Sequence, residues 1–269
     1  TTEIYTLSLH DALPILELDA AYYPSGNIRI GAARSPLSRP EQVAALAAEV
    51  HRRRNFILDG LMGYESQIAS VPDGGFSPKA LIARKLRQAS AAELAERRAE
   101  TVELVRELGE LRFVNAGGTG SVESTVQEPA ITEIAAGSGL FAPALFDSYR
   151  AFRPAPALYL GFPVVRRPDE RTVTILGGGW TASGPAGKDR LPRIEHPKKL
   201  RYLSMEGAGE VQTPLTGPSA HRIAIGETVW LRHAKAGEPA ERVNKVAVYS
   251  KGKIIEQWPT YRGEGKAFL

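Results

Sequence analysis

The sequence predicts an α/β domain with a parallel sheet, followed by a mostly antiparallel β domain. Residues 16–150 alternate short apolar segments with amphipathic helical segments, a pattern typical of an α/β barrel or a doubly wound fold. From residue 151 to residue 269, frequent prolines separate short β-rich runs. The composition, 43% hydrophobic and 24% charged residues in 269, excludes disordered, collagen-like and coiled-coil proteins.

The first elements are a strand, a loop, a helix and a second strand. Residues 16–19 alternate like a strand and precede a loop at residues 24–26. Pro40 occupies the first helical position, which tolerates proline, and apolar residues then recur at helical spacing: Val43, Leu46, Ala47 and Val50. The run 56–62 is short and apolar, as expected of a buried strand.

A second helical region begins at Ser77. Within it, Ser90 and Glu93 have the spacing of a capping box, which predicts that a separate strong helix starts there. Gly109 marks the end of that helix, since glycine commonly follows the last helical residue.

Two glycine-rich loops follow the next two predicted strands. Residues 117–121 follow strand 111–114, and residues 137–139 follow strand 131–135. Glycine lets backbone amides approach an anion closely, and parallel α/β folds bind ligands at this end of their strands. The first loop lacks the Lys-Ser/Thr of a P-loop, and Glu123 replaces the third glycine of a dinucleotide motif. The residues alone leave two interpretations, a phosphate site and plain tight turns.

The β domain is predicted from short runs of β-branched residues. They lie at residues 164–165, 172–176, 228–231 and 246–249. Residues 250–253 (Ser-Lys-Gly-Lys) predict a hairpin turn. No helix is predicted after residue 151.

Charge and cysteine content exclude several functions. The net charge of +4 is small and acidic residues interleave with basic ones, so we expect no nucleic-acid partner. The absence of cysteine excludes a thiolate nucleophile, a disulfide framework, an iron–sulfur cluster and Cys-ligated zinc. With no apolar run of membrane-spanning length and no visible signal peptide, we expect a cytoplasmic protein without a membrane partner.

Residues 1–15 do not fit the pattern that follows. They resemble translated sequencing-adapter read-through, so we expect an artefactual leader and a genuine chain that begins further upstream. On that expectation the chain is the C-terminal part of a longer protein.

Six motifs, in order, resemble one group of enzymes. The first three, 58–65 (LDGLMGYE), 113–120 (FVNAGGTG) and 132–138 (TEIAAGS), are similar to motifs of fold-type III pyridoxal-phosphate enzymes. The group is the D-threonine aldolase and D-serine dehydratase branch related to alanine racemase. Three later motifs resemble amino acid deaminase/aldolase proteins: 176–180 (LGGGW), 207–214 (GAGEVQTP) and 259–265 (PTYRGEG). The resemblance extends from about residue 16 to the end.

The resemblance implies a partial TIM-like (β/α) barrel, its C-terminal half, in residues 16–150 and a β domain in residues 151–269. It assigns the phosphate of pyridoxal phosphate to residues of the two glycine loops: Gly118, Thr119, Gly120, Gly137 and Ser138. Tyr64 matches a tyrosine near the cofactor ring, with a core tyrosine as the alternative. Arg29 matches a position that contacts cofactor or substrate anions, with a surface arginine as the alternative. Gln67 stands where relatives often have histidine, and glutamine cannot transfer a proton near pH 7.

His233 matches the first metal ligand of the metal-dependent branch, but Lys235 occupies the place of the second ligand. A protonated lysine cannot bind a metal and repels a divalent ion, so a metal is doubtful. Either Glu238 replaces the missing ligand or Lys235 supplies the positive charge itself. We favour the second hypothesis.

The cofactor-binding lysine of these enzymes lies at the end of the first barrel strand. None of Lys79, Lys85 and Lys188 follows a predicted barrel strand, so we expect that lysine upstream. The chain alone is therefore expected to be inactive, and its half barrel to be poorly soluble.

The resemblance implies a lyase that acts on a β-hydroxy or D-amino acid by retro-aldol cleavage or by dehydration with loss of ammonia. In it His233 and Lys235 polarise the substrate, and the full-length protein is a homodimer. Two alternatives stay open, an amino acid racemase and a non-catalytic pyridoxal-phosphate- or phosphate-binding module.

Overall fold

The computed structural model describes residues 15–25 and 28–266 and divides them into two compact units. The first unit contains the described residues up to Gly137 together with residues 148–152. The second contains residues 138–147 and 153–266. Residues 138–147 thus belong to the second unit, whereas the sequence predicted one boundary between residues 150 and 151. The predicted leader, except Ile15, lies outside the described residues.

The described part of the first unit begins with a short strand and a hairpin. Strand β1 (Ile15–Glu17) overlaps the strand predicted at residues 16–19 but ends before Leu18. It is followed by β2 (Tyr22–Ser25) and β3 (Ile28–Ile30), which pair antiparallel. The prediction of a loop at residues 24–26 is wrong for Pro24 and Ser25, because both lie in β2.

The described residues of the first unit contain two long helices and two single-turn helices. Helix α1 (Pro40–Arg52) confirms the helix predicted from Pro40. Strand β4 (Gly60–Gly63) and helix α2 (Ser66–Ala69) lead into helix α3 (Pro78–Arg106), which is 29 residues long. No helix in the described part of the chain is both long enough and apolar enough to cross a membrane.

The helix predicted to start at Ser90 does not exist as a separate element. Helix α3 continues through Ser90, and its N-terminal cap is Ser77, whose hydroxyl accepts a hydrogen bond from the amide of Ala80. Ser90 is fully buried, and its hydroxyl accepts a hydrogen bond from Gln67 at 2.9 Å. The serine at position 90 therefore serves a tertiary contact and does not cap a helix.

The remaining strands complete a four-stranded parallel sheet. Strand β5 (Phe113–Ala116), helix α4 (Val122–Thr125) and strand β6 (Glu133–Ile134) follow in the chain. The spatial order is β1-β4-β5-β6, with parallel pairing throughout. The carboxyl ends of all four strands therefore lie at one edge of the sheet, together with the loops that follow them.

Alternate strand residues pack against α1 and α3 to form the core of the first unit. Its buried members are Leu16, Leu18, Val43, Ala47, Leu58, Leu61, Val102, Val105, Leu111 and Val114. Leu46, one of the apolar residues at helical spacing, is exposed, and so are Phe56 and Ile57 at the start of the run predicted as a buried strand. The strand begins only at Gly60, where pairing with β5 begins.

The second unit contains a six-stranded antiparallel sheet. In chain order its strands are β7 (Tyr159–Asp169), β8 (Thr172–Leu176), β9 (Arg193–His196), β10 (Arg201–Tyr202), β11 (Gln212–Thr216) and β12 (Thr228–Arg232). They are ordered β10-β11-β8-β7-β12-β9. Strands β9, β10 and β11 were not predicted from the sequence. The prolines at 163 and 168 were predicted to end β-rich runs, but β7 continues through both of them. The strand accommodates Pro168 near register shifts, where a ladder hydrogen bond is not required.

A short helix and a hairpin are the last regular elements of the described residues. Helix α5 (Gly237–Arg242) contradicts the prediction that no helix follows residue 151. Strands β13 (Lys245–Ser250) and β14 (Lys253–Pro259) form the predicted hairpin. The turn residues Lys251 and Gly252 have φ values of 48° and 84°, as a type I′ turn requires.

Candidate active site in the first unit

Tyr64 and the first glycine loop contact each other at the carboxyl edge of the parallel sheet. Tyr64 directly follows β4, and its hydroxyl lies 2.5 Å from Ser70 Oγ. A Cβ atom on Gly118 would lie 2.9 Å from Tyr64 Cε2, so the tyrosine ring packs directly on this glycine. The structure thus brings together two of the residues predicted from the sequence.

The glycine loop is held by hydrogen bonds within the unit. The amide of Gly118 donates to Ser121 Oγ at 3.0 Å, and the amide of Ser121 donates to the Gly118 carbonyl at 3.0 Å. An anion bound at Gly118 would therefore compete with the Ser121 hydroxyl for this amide. Gly120 is required for a different reason, because a Cβ atom there would overlap the carbonyl oxygen of Ala69.

Replacing Gly120 with alanine is expected to destabilise the first unit by about 1–3 kcal/mol, since the methyl group would meet fixed backbone. Gly137 is the matched control: a Cβ atom there has nothing within 4 Å. Gly137→Ala should change the free energy of unfolding by less than about 0.5 kcal/mol. Urea unfolding followed by circular dichroism measures both. Equal losses in the two variants would contradict this account of the loop.

No role was predicted for Glu65, whose side chain holds the first glycine loop in place. Its side chain is fully buried and accepts hydrogen bonds from the Gly117 amide at 3.2 Å and from Arg98 at 3.1 Å. It also accepts from the hydroxyls of Ser121 at 2.9 Å and Thr125 at 2.7 Å. One carboxylate therefore links the end of β4, the glycine loop and α4 to the long helix α3.

Arg98 is shared between two buried carboxylates. It contacts Glu65 and also donates to Glu128 at 2.8 Å, and its side chain is 3% exposed. Burial raises the pKa of Glu128 to about 7 despite the charge of Arg98, with Glu65 adding to the increase. Below that pH Glu128 is protonated, and the charge of Arg98 is balanced by Glu65.

Arg87, on the same helix, also fixes the loops at this edge. It donates to the carbonyl of Gly120 at 2.8 Å and to the carbonyl of Val71 at 2.8 Å. Its guanidinium lies 5.3 Å from the ring centroid of Tyr149. The loops after β4 and β5 are therefore tied to one long helix.

Arg29, which was predicted to bind an anion, forms an ion pair with a carboxylate of the same unit. Its guanidinium lies 2.8 Å from Asp19, whose side chain is 2% exposed, and donates to the Ala32 carbonyl at 2.9 Å. Asp19 also accepts from the Tyr23 hydroxyl at 2.6 Å. The charge of Arg29 is thus largely compensated within the hairpin region.

Gln67 is structural in this fold. Its amide nitrogen donates to the Ala20 carbonyl at 2.7 Å as well as to Ser90, and the side chain is buried. Gln67 therefore ties the segment after β1 to helix α3.

The second glycine loop follows β6. Because β6 is parallel to β5, its carboxyl end lies at the same sheet edge as residues 117–121. Gly137 begins a short 3-10 helix (Gly137–Leu140), and Ser138 is the first residue of the second unit. Thr119 is half-buried in the first loop.

His233 and Lys235 lie in the second unit, just after β12. His233 is 2% exposed; burial lowers its pKa, and Nδ1 lies 2.6 Å from the Lys235 carbonyl oxygen. Lys235 Nζ lies 3.4 Å from Ser183 Oγ, and the Ser183 amide donates to Glu238 at 2.6 Å. The buried atoms His233 Nε2 and Glu238 Oε2 have no hydrogen-bond partner among the described residues. Both hypotheses, Glu238 as a ligand and Lys235 as the charge, therefore remain.

The resemblance implies two bound groups, a metal ion and pyridoxal phosphate. Within the described ranges, no three His, Asp or Glu side chains gather as a metal site. No lysine in those ranges directly follows β1, β4, β5 or β6. The residues present fit the phosphate end of pyridoxal phosphate, because a glycine loop braced by Arg87 lies at the strand ends.

Several solved structures are similar to this chain. A D-threonine aldolase from Filomicrobium marinum superposes with a TM-score of 0.74 and 20% sequence identity, covering 96% of this chain and 64% of that protein. A D-threo-3-hydroxyaspartate dehydratase from Delftia sp. HT23 gives a TM-score of 0.63 and 17% identity, covering 91% and 65%. An alanine-racemase-like protein from Idiomarina loihiensis gives 0.56 and 13%, covering 96% and 68%.

The chain shares their fold. At these identities the likeness extends to the fold alone, and the chain spans just under two thirds of the aldolase and of the dehydratase. No protein-family model and no curated protein matches the sequence.

Proposed function

We propose that the chain is part of a pyridoxal-phosphate-dependent lyase, and that its first unit binds the phosphate of the cofactor at residues 117–121. The observation that carries the proposal is the packing of Tyr64 on Gly118 at the carboxyl edge of the parallel sheet. Parallel α/β folds bind ligands at this edge. The shared fold with a D-threonine aldolase and a D-threo-3-hydroxyaspartate dehydratase supports the same site.

When bound, the cofactor withdraws electrons from the α-carbon of an amino acid. The residues of this chain would bind and orient it. The backbone of Gly118, Thr119 and Gly120 would hold the phosphate, and Glu65 and Arg87 fix that backbone. The contribution predicted for Gly137 and Ser138 stays a prediction. The Tyr64 ring, packed on Gly118, would set the orientation of the cofactor ring. The role predicted for His233 and Lys235, polarising the substrate hydroxyl or carboxylate, stays a prediction.

We propose a β-hydroxy or D-amino acid as substrate, cleaved by a retro-aldol reaction or dehydrated. A carboxylate and an amino group are common to all these substrates.

Calorimetric titration with pyridoxine 5′-phosphate and with pyridoxine tests the phosphate site. Neither compound carries an aldehyde, so neither can react with surface lysines. The phosphate compound should bind at least about tenfold more tightly, as expected for a dianion held by several charge-assisted hydrogen bonds. Inorganic phosphate should compete with it. Equal affinity for the two compounds would refute the phosphate site.

A further inference from the structure

Arg34 lies over the ring of Tyr64, beside the candidate phosphate loop. Its guanidinium carbon is 5.7 Å from the ring centroid, within the range of a cation–π contact. The same ring packs on Gly118. One aromatic side chain therefore contacts both the glycine loop and an exposed arginine.

The backbone that carries Arg34 is fixed to the end of β1. The next residue, Ser35, is buried, and its hydroxyl donates to the Glu17 carbonyl at 2.6 Å. The Leu37 amide donates to Ser35 Oγ at 3.1 Å, and the Asp19 amide donates to the Leu37 carbonyl at 2.9 Å. Because β1 neighbours β4 in the sheet, this anchoring places Arg34 at the same edge as Tyr64.

The charge of Arg34 is not compensated as that of its neighbours is. Arg29 pairs with Asp19, Arg87 with Asp73, and Arg98 with Glu65 and Glu128. Among the described residues, no ion pair includes Arg34. The Arg34 guanidinium, which has no carboxylate partner among the described residues, therefore lies next to the candidate site. The anchored backbone and the Tyr64 ring hold it there.

We propose that Arg34 binds the carboxylate of the amino-acid substrate. The inference rests on the proposed function, in which the glycine loop holds a phosphate and leaves the substrate carboxylate as a second anion. A guanidinium binds a carboxylate through two parallel hydrogen bonds, which a lysine cannot reproduce. Arg34, and not the internally paired Arg29, then selects substrates that carry a free carboxylate.

Two stable ligands that differ by one carboxylate test the proposal in the chain as it exists. They are N-(5′-phosphopyridoxyl)-D-alanine and N-(5′-phosphopyridoxyl)ethylamine. Calorimetry should show that the wild type prefers the alanine compound by about tenfold, the effect of one charge-assisted pair. Arg34→Gln should abolish this preference while leaving the affinity for the ethylamine compound unchanged. Arg34→Lys should retain part of the preference.

Arg54→Gln is the matched control, since Arg54 is also exposed but lies after α1, ahead of β4, at the opposite edge of the sheet. It should keep the full preference. If the wild type binds both compounds tightly and equally, the Arg34 assignment is overturned while the phosphate site stands. Equal weakening of both compounds in Arg34→Gln would also overturn it. Failure of the wild type to bind either compound would overturn the proposed function and the inference together.

Discussion

Glu65→Gln should lower the free energy of unfolding by about 3 kcal/mol or more. The carboxylate is fully buried, and its loss removes one of the two carboxylates that pair with Arg98 together with the acceptor of the Gly117 amide and of two hydroxyls. Each hydrogen bond to a buried charged group contributes about 1.5–3 kcal/mol, and glutamine cannot replace all of those that Glu65 accepts. Urea unfolding at pH 7 measures the difference.

The consequence for the site is a loosened glycine loop. Glu65 accepts from the Gly117 amide and from the hydroxyls of Ser121 and Thr125, and glutamine cannot accept all three while also balancing Arg98. The affinity for pyridoxine 5′-phosphate should therefore fall by about tenfold or more, as expected when an organised anion site loses its support. Binding measured well below the unfolding transition separates this effect from global stability.

A matched control variant and a double-mutant cycle test whether the loss of stability in Glu65→Gln is specific to the contacts of Glu65. Glu123→Gln removes an exposed carboxylate from the helix that follows the same loop and should cost less than about 0.5 kcal/mol. The double variant Glu65→Gln with Arg98→Met should be more stable than the sum of the single changes predicts, since both changes remove the same buried ion pair. Additive losses would mean that the two residues do not form an energetic pair.

Local patterns predicted the elements whose determinants are local. Proline at the first helical position defined the start of α1, and the Lys251-Gly252 turn defined the last hairpin. The apparent capping box at Ser90 failed because the serine serves a distant partner, the Gln67 amide, and nothing within the helical segment reveals that contact. Strand β10 is two residues long and is defined by its pairing with β11, so its own residues carry little signal.

Site residues that belong to a local sequence motif were predictable, whereas residues whose role depends on hydrogen bonds to distant parts of the chain were not. The glycine loop and Tyr64 were found from motifs, whereas Glu65 needs partners from β5's loop, α3 and α4. One signal was present for Arg98: it lies four residues after Leu94 and four before Val102, on the buried face of α3. A charged residue on that face implies a buried counter-charge. Arg34 had no comparable signal, because its significance depends on the Tyr64 ring.

Arg232→Lys should destabilise the second unit by about 3 kcal/mol. Arg232 is 2% exposed, forms a two-pronged pair with Asp147 at 2.6 and 2.9 Å, and donates to the Ala142 carbonyl at 2.8 Å. Lysine cannot supply this planar fork, so buried acceptors would be left unpaired. Arg193 contacts the same carboxylate but is 47% exposed, and Arg193→Lys should cost less than about 1 kcal/mol.

The pH dependence of the stability difference between wild type and Arg232→Lys shows whether Arg232 acts through its ion pair or through packing. Burial alone would raise the pKa of Asp147, but hydrogen bonds from Arg232 and Arg193 lower it below its ordinary value of 3.8. A carboxylate with a lowered pKa contributes stability above its unfolded-state pKa and loses that contribution as the pH falls. The gap between wild type and Arg232→Lys should therefore be largest near pH 7 and shrink below about pH 4. A gap that stays constant from pH 7 to pH 3 would assign the effect of Arg232 to packing, with no role for its pairing with Asp147.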